Sequence, residues 1–255
     1  MKEDVFPLGE RGADADGNPR TVDFRLFIQI LAFGECPDIE PVQQALSDAA
    51  AGGNGFEGTL YRDVNDSRGI GLAVAAENPD FFVTGLRELL LSPPFQTLQP
   101  KPEFTMLGRT YSIGYEKDLE NILLRRPRQR LFNPAHPWAV WYPLRRSGAF
   151  ARLAEEDQRD ILMEHAGLGI SFSRTGFGND IRLACHGLDK NDNDFVIGLV
   201  GPELFPLSAM VQAMRKTRQT SLYLERLGPF FIGKACWQSP QPGNPPAEVA
   251  AHGTP

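Results

Sequence analysis

Histidine and cysteine are scarce in this chain: 255 residues hold four of the first and three of the second. Cys36, Cys185 and Cys236 are odd in number and far apart, which excludes a disulfide framework and any close metal-type pair; reduced thiols of a cytoplasmic protein are the plain reading. There is no basic excess. Lys and Arg total 26 against 32 Asp and Glu, a net charge of −6, which argues against a general nucleic-acid or anionic-membrane binder. No apolar run approaches the roughly 18 residues of a membrane span. The opening MKEDVFPLGERGADADGNPR lacks the apolar core of an export signal, so a cytoplasmic location is expected. Residues 1–20 and 238–255 are polar or rich in Pro, Gly and Ala. They are expected to be disordered because they bury too little apolar surface to offset ordering.

What remains is ordinary globular material, 42% hydrophobic and 23% charged, arranged twice in one order. In residues 21–115, Phe24–Phe33 reads as a strand and Glu40–Ala51, with Pro41 in its first turn, as a helix. Gly58–Asp63 and Gly69–Ala76 are strands joined by the polar turn Val64–Arg68. Asp80–Leu91 has helical spacing with Asp80 at its N-cap, and Phe104–Tyr115 closes the unit. Residues 138–237 repeat this. Trp138–Leu144 is a strand, and a helix within Ser147–Phe172 is clearest over Ala149–Gly167. Asp180–His186 and Asp194–Val200 are strands, Pro206–Leu224 is a helix, and Pro229–Cys236 is the last strand. Each unit is β-α-β-β-α-β, the ferredoxin-like order. The fold class is therefore α+β: two tandem ferredoxin-like units packed into one α+β barrel with helices outside. Residues 116–137, with Arg125, Arg126, Arg128 and Arg130, read first as a solvated linker, with an anion-facing role as the alternative.

Of the histidines, His252 falls in the tail and His136 between prolines. His165 shares a helix face with Ile161, Leu162, Ala166 and Gly169. A satisfied core histidine is the commoner meaning of that pattern, and a metal or haem ligand the other. Gly167 and Gly169 follow, leaving room for a flat macrocycle. In DIRLACH, alternation puts Arg182, Ala184 and His186 on one face and Ile181, Leu183 and Cys185 on the other. The apolar set is expected against the helices, with Arg182 pointing into the barrel or to solvent. Trp138, Tyr142, Leu144 and Arg146 share a face that suits a planar group carrying carboxylates, or an ordinary core strand with a rim arginine.

The segments WYPLRRSGAFARL, ILMEHAGLG, DIRLACHGLDKNDNDFVIGL and GPFFIGK resemble the chlorite dismutase superfamily, which includes the coproheme decarboxylases. The resemblance spans about residues 22–237, with its specific motifs in the second half. It implies that His165 ligates the iron of haem b and that Arg182 is the distal arginine of chlorite-decomposing members. Arg146 stands in place of a lysine that contacts a haem propionate, and Tyr142 matches the radical-forming tyrosine of the decarboxylases. Three departures keep several activities open. The stretch SRTGFGN enlarges the loop after His165. Phe150 and Ala151 replace a tryptophan pair. Gln219 is the best match to a glutamate that orients the axial histidine, and a neutral partner would give the ring less anionic character.

The resemblance thus implies a haem-dependent oxidoreductase that decomposes chlorite to chloride and O2, or acts as a peroxidase. The alternatives are a coproheme decarboxylase using Tyr142, with coproheme as substrate, and a haem carrier or sensor. A barrel of this kind enclosing some other small molecule is the reading without haem. The partners implied are a small oxidant, chlorite or peroxide, and further copies of the chain in a homo-oligomer, pentamer or dimer.

Overall fold

A computed structural model describes residues 8–53 and 55–240. The N-terminal unit contains β3 (Phe27–Gly34), α1 (Glu40–Ala51), β4 (Glu57–Asp63), β5 (Ile70–Ala76), α2 (Gly85–Leu90), the short β6 (Gln99–Pro100) and β7 (Met106–Arg109). It is preceded by a hairpin of β1 (Glu10–Ala13) and β2 (Pro19–Val22). A π-helical turn at Asn121–Arg125 continues into α3 (Arg126–Leu131). The C-terminal unit contains β8 (Trp138–Arg146), α4 (Gly148–Ala151), α5 (Glu155–Arg174), β9 (Asn179–Ala184), β10 (Phe195–Gly201), α6 (Leu204–Met214), α7 (Arg218–Tyr223), β11 (Leu224–Leu227) and β12 (Phe231–Gln238).

The strands close on themselves. Neighbours run β7-β3-β5-β4 in the first unit and β12-β8-β10-β9 in the second, with β4 pairing β12 and β7 pairing β9. Every pairing is antiparallel, and each unit has the same internal order. The two seams differ in strength: β4 and β12 pair along most of their length, whereas β7 and β9 meet at Arg109 and Ala184 alone.

Three apolar layers follow from the two faces of this barrel. Its interior holds Ile28, Ile30, Tyr61, Met106, Trp141, Ile181, Leu183 and Phe231. Large rings fit there because glycines stand opposite them. A Cβ on Gly198 would lie 2.4 Å from the Trp141 ring, and one on Gly71 would lie 2.2 Å from Phe231. Outside, Leu46 of α1 and Leu86 of α2 pack with Leu60, Leu72 and Val74 on the N-terminal unit. Val140, Tyr142, Leu144, Leu199, Leu207 and Met210 form the outer layer of the C-terminal unit.

Several expectations need correction. Residues 8–20 are not disordered: β1 pairs β2, and Glu10 bonds Arg109 and Ser112. Nor are residues 238–240, where buried Ser239 bonds both backbone groups of Gly58; residues 241–255, with His252, lie outside the described residues. The stretch 116–137 is no solvated linker. Leu119 and Leu123 pack with Val22, and Leu131 and Phe132 plug the barrel core. The strand expected over Phe104–Tyr115 ends at Arg109. Beyond it, Thr110 bonds Leu26 and Leu123, and the Glu116 carboxylate takes the amides of Ile113, Gly114 and Tyr115. Near Asp80 the cap is Asn78, whose side chain accepts the Asp80 amide. The helix expected over Pro206–Leu224 breaks into α6 and α7 around Thr217. In SRTGFGN, α5 takes in Ser173 and Arg174 and β9 starts at Asn179, so the loop itself is residues 175–178.

Candidate functional site

The site lies on the outer face of the C-terminal sheet, under α5. Antiparallel register sets a row across that face: Arg182 opposes Ile197, which opposes Tyr142. Tyr142 is buried and stacks on Phe230 at 4.7 Å, and burial holds its phenol well above the ordinary range. The next row is Ala184, Phe195 and Leu144. Arg146 lies at the edge of this wall with its guanidinium 4.7 Å from both the Phe150 and Phe195 ring centres. Its backbone amide is fixed by Asp194. Among the described residues its side chain has no ion pair, and burial lowers its affinity for its proton.

The faces of β9 are the reverse of the expectation. Ile181, Leu183 and Cys185 point into the barrel core, and Arg182 points outward to the layer that α5 covers. Alternation separates two faces but does not say which is inside. Arg182 is half exposed and pairs through Nε with Asp180 at 3.1 Å. Among the described residues, its terminal nitrogens make no hydrogen bond. The other Asp180 oxygen meets Arg130 at 3.2 Å.

His165 stands on the inward side of α5, half-buried. Its Nδ1 lies 3.2 Å from the hydroxyl of buried Thr217, and that hydroxyl donates at 2.8 Å to the Met214 carbonyl. With the Thr217 proton on the Met214 carbonyl, its oxygen accepts from Nδ1–H in the tautomer that keeps the Nε2 lone pair available. Burial, then the positive charge of Arg182, holds the ring's pKa below the usual histidine range, so it is neutral at pH 7. The expected orienting residue, Gln219, is buried but makes no hydrogen bond to the ring. Thr217, two residues earlier, does that work. A threonine before a short helix reads from sequence as a cap, so the signal was ambiguous.

Helix α5 is loosely seated. Ile161 is the one buried residue of its twenty, while Leu162, Met163, Leu168 and Ile170 are exposed. Gly169 shares the His165 face; Gly167 points the other way by the helical period. A neutral imidazole with a free nitrogen, an aromatic wall and an unpaired guanidinium form a donor set that fits a haem carrying carboxylates.

Other candidates fall elsewhere. His186 is exposed, 3.3 Å from Asp194. His136 lies in the turn before β8 with Nδ1 buried and unbonded. Conversely, Tyr111 and Arg126 come from outside the motif-bearing half. The Tyr111 ring lies tilted against Phe195 at 5.6 Å. A cavity of about 30 Å³ beside Arg182 is lined by Tyr111, Glu116, Arg126, Arg130 and Asp180; His165 is not among its walls.

Residues 117–236 match the family model described as chlorite dismutase. No curated protein sequence matches the chain. The fold is similar to that of a haem-binding protein from Thermus thermophilus, with TM-score 0.64 and 16% identity over 85% of this chain and 92% of the other. It is also similar to an arginine variant of chlorite dismutase from Candidatus Nitrospira defluvii, with TM-score 0.62 and 15% identity over 84% and 92%. Residues 117–236 are thus similar to chlorite dismutase sequences, and most of the molecule shares its fold with these solved structures.

Proposed function

We propose that this protein binds haem between α5 and the outer face of β8–β10 and uses it to reduce a small oxidant, chlorite or peroxide. The observation that carries the reading is the His165–Thr217–Met214 chain, which presents a neutral imidazole with its outer nitrogen free. His165 Nε2 would hold the iron. Arg146 would meet a propionate, an anion for a guanidinium that lies between two aromatic rings and, among the described residues, makes no ion pair. When bound, haem supplies the redox-active iron at which an oxygen atom leaves the oxidant. Asp180 tethers Arg182 by Nε, so the terminal N–H groups can meet negative charge that develops on the oxidant. The partly accessible apolar surface of α5 and α7, including Met163, Ile170 and Leu222, suits self-association into a pentamer or a dimer, which light scattering would distinguish.

Two variants test this. His165→Ala should abolish the Soret band formed on haem titration. Arg182→Ala should keep that band and lose roughly 10²–10³ in oxidant turnover, the cost typical of removing one charge-stabilising donor. Unchanged turnover with intact haem removes Arg182 from the mechanism.

A second reading, oxidative decarboxylation of coproheme, draws on the cross-strand row that aligns Tyr142 with Arg182. Iron coproporphyrin and peroxide should then give a vinyl product by mass, and Tyr142→Phe should not. No mass loss over many equivalents of peroxide ends that reading.

A further inference from the structure

Asp180, which tethers Arg182 by Nε, is itself held. Arg130, in the last turn of α3, donates through one terminal nitrogen to the Asp180 backbone carbonyl and, at 3.2 Å, to its Oδ1. The other carboxylate oxygen, Oδ2, takes Arg182 Nε at 3.1 Å. Asp180 and Arg182 stand two residues apart on β9 and so share its outer face. Their side chains are 30% and 47% exposed, against 18% for Arg130. The relay is therefore anchored at its buried end and open at the end that faces the site. Arg126 lines the same cleft but, among the described residues, makes no hydrogen bond or ion pair with Asp180.

A carboxylate beside a lone guanidinium favours a two-point fork, here Nε together with one terminal nitrogen. Asp180 makes only the Nε contact, because its Oδ1 is engaged by Arg130. Its charge is divided as well. Two guanidiniums and one carboxylate leave a net positive charge, whereas Asp180 and Arg182 alone would cancel. We propose that Arg130 is a positioning residue for Arg182. By holding Asp180 at both its carbonyl and Oδ1, it limits the tether to Nε and keeps the terminal N–H groups of Arg182 turned to the oxidant. The benefit to catalysis rests on Arg182 meeting the oxidant, as proposed above; the restraint on Arg182 does not depend on haem.

The restraint is read in the haem-free, full-length protein by NMR of 15N-labelled arginine, with Arg182 assigned from its absence in Arg182→Ala. In the wild type, Arg182 should show a protected Nε–H and terminal N–H groups that rotate freely about their bonds to Cζ. In Arg130→Met a terminal N–H should become protected as Asp180 closes the fork. Arg126→Met removes an equal charge from the same cleft and should leave the Arg182 signals as in the wild type. In the haem-loaded protein, Arg130→Met should keep the Soret band and lower kcat/KM for the oxidant roughly tenfold, as for partners that orient a metal ligand. It should have no further effect in an Arg182→Ala background. Arg130→Gln, which leaves one neutral donor, is the milder variant if Arg130→Met does not fold, and should shift the same signals in the same direction. Arg182 signals unchanged without Arg130, an equal change in Arg126→Met, or an equal loss of turnover in the Arg182→Ala background overturns the positioning role. Wild-type turnover in Arg182→Ala would instead end the oxidant role of Arg182, with the fork still decided by the haem-free spectrum.

Discussion

Thr217→Val separates the geometry found here from the one the sequence suggests. The substitution keeps the shape of a buried residue and deletes the oxygen that accepts from His165 Nδ1–H. Hydrogen-bonded partners of a metal-ligating histidine are worth about 10–100-fold in metal affinity. One neutral hydrogen bond contributes a net of about 0.5–1.5 kcal/mol, or roughly 2–12-fold in an equilibrium constant. The two ranges meet near tenfold, which is the expected weakening of haem affinity in a Soret titration. The hydroxyl also bonds the Met214 carbonyl, so about 1 kcal/mol of fold stability should go as well. For a chain of this size that is roughly a 2–4 °C fall in Tm, small enough to leave the protein folded during the titration. Gln219→Leu is the control and should leave haem affinity within about twofold, below the effect of one hydrogen bond. If Thr217→Val binds haem like the wild type, or if Gln219→Leu is the variant that weakens, the proposed orienting role of Thr217 is refuted.

Two further outcomes follow from the structure. His165 and His136 both titrate below the usual histidine range, chiefly through burial. As pH falls below about 6.5, unfolded rings take up protons that the folded rings refuse, so stability drops with acidification. The urea midpoint should be flat near pH 7.5 and decline towards pH 5.5, with a shallower slope in His165→Gln; a slope that this variant leaves unchanged refutes the assignment. Gly198→Ala should cost about 1–3 kcal/mol by overpacking, because its Cβ would sit 2.4 Å from Trp141; a denaturant midpoint equal to the wild type would show that the barrel interior yields.

The duplicated element order was legible because each unit repeats the same local signals. Pro41 opens α1, polar turns separate β4 from β5 and β9 from β10, and apolar runs of strand length flank them. The shared face of Tyr142, Leu144 and Arg146 was legible for the same reason, since alternation is a property of the strand alone. Local pattern could not say which face of β9 is inside, because closing the sheet turns one apolar face inward while the helices need the other. It could not show that Leu119, Leu123, Leu131 and Phe132 anchor the supposed linker, because their partners lie far away in sequence.

By itself, then, the sequence determined the two-unit α+β plan and the residue types that could do chemistry, since both are written in short-range periodicity and in the rarity of histidine. Only the tertiary structure decided which partners those residues meet. Thr217 reaches His165 across two helices, and Asp180 is divided between Arg182 and an arginine fifty residues earlier. Arg126 shares a cleft with Asp180 and Arg182, more than fifty residues later in the chain. Such pairings depend on where closure of the barrel brings distant segments together, and no local propensity encodes that distance.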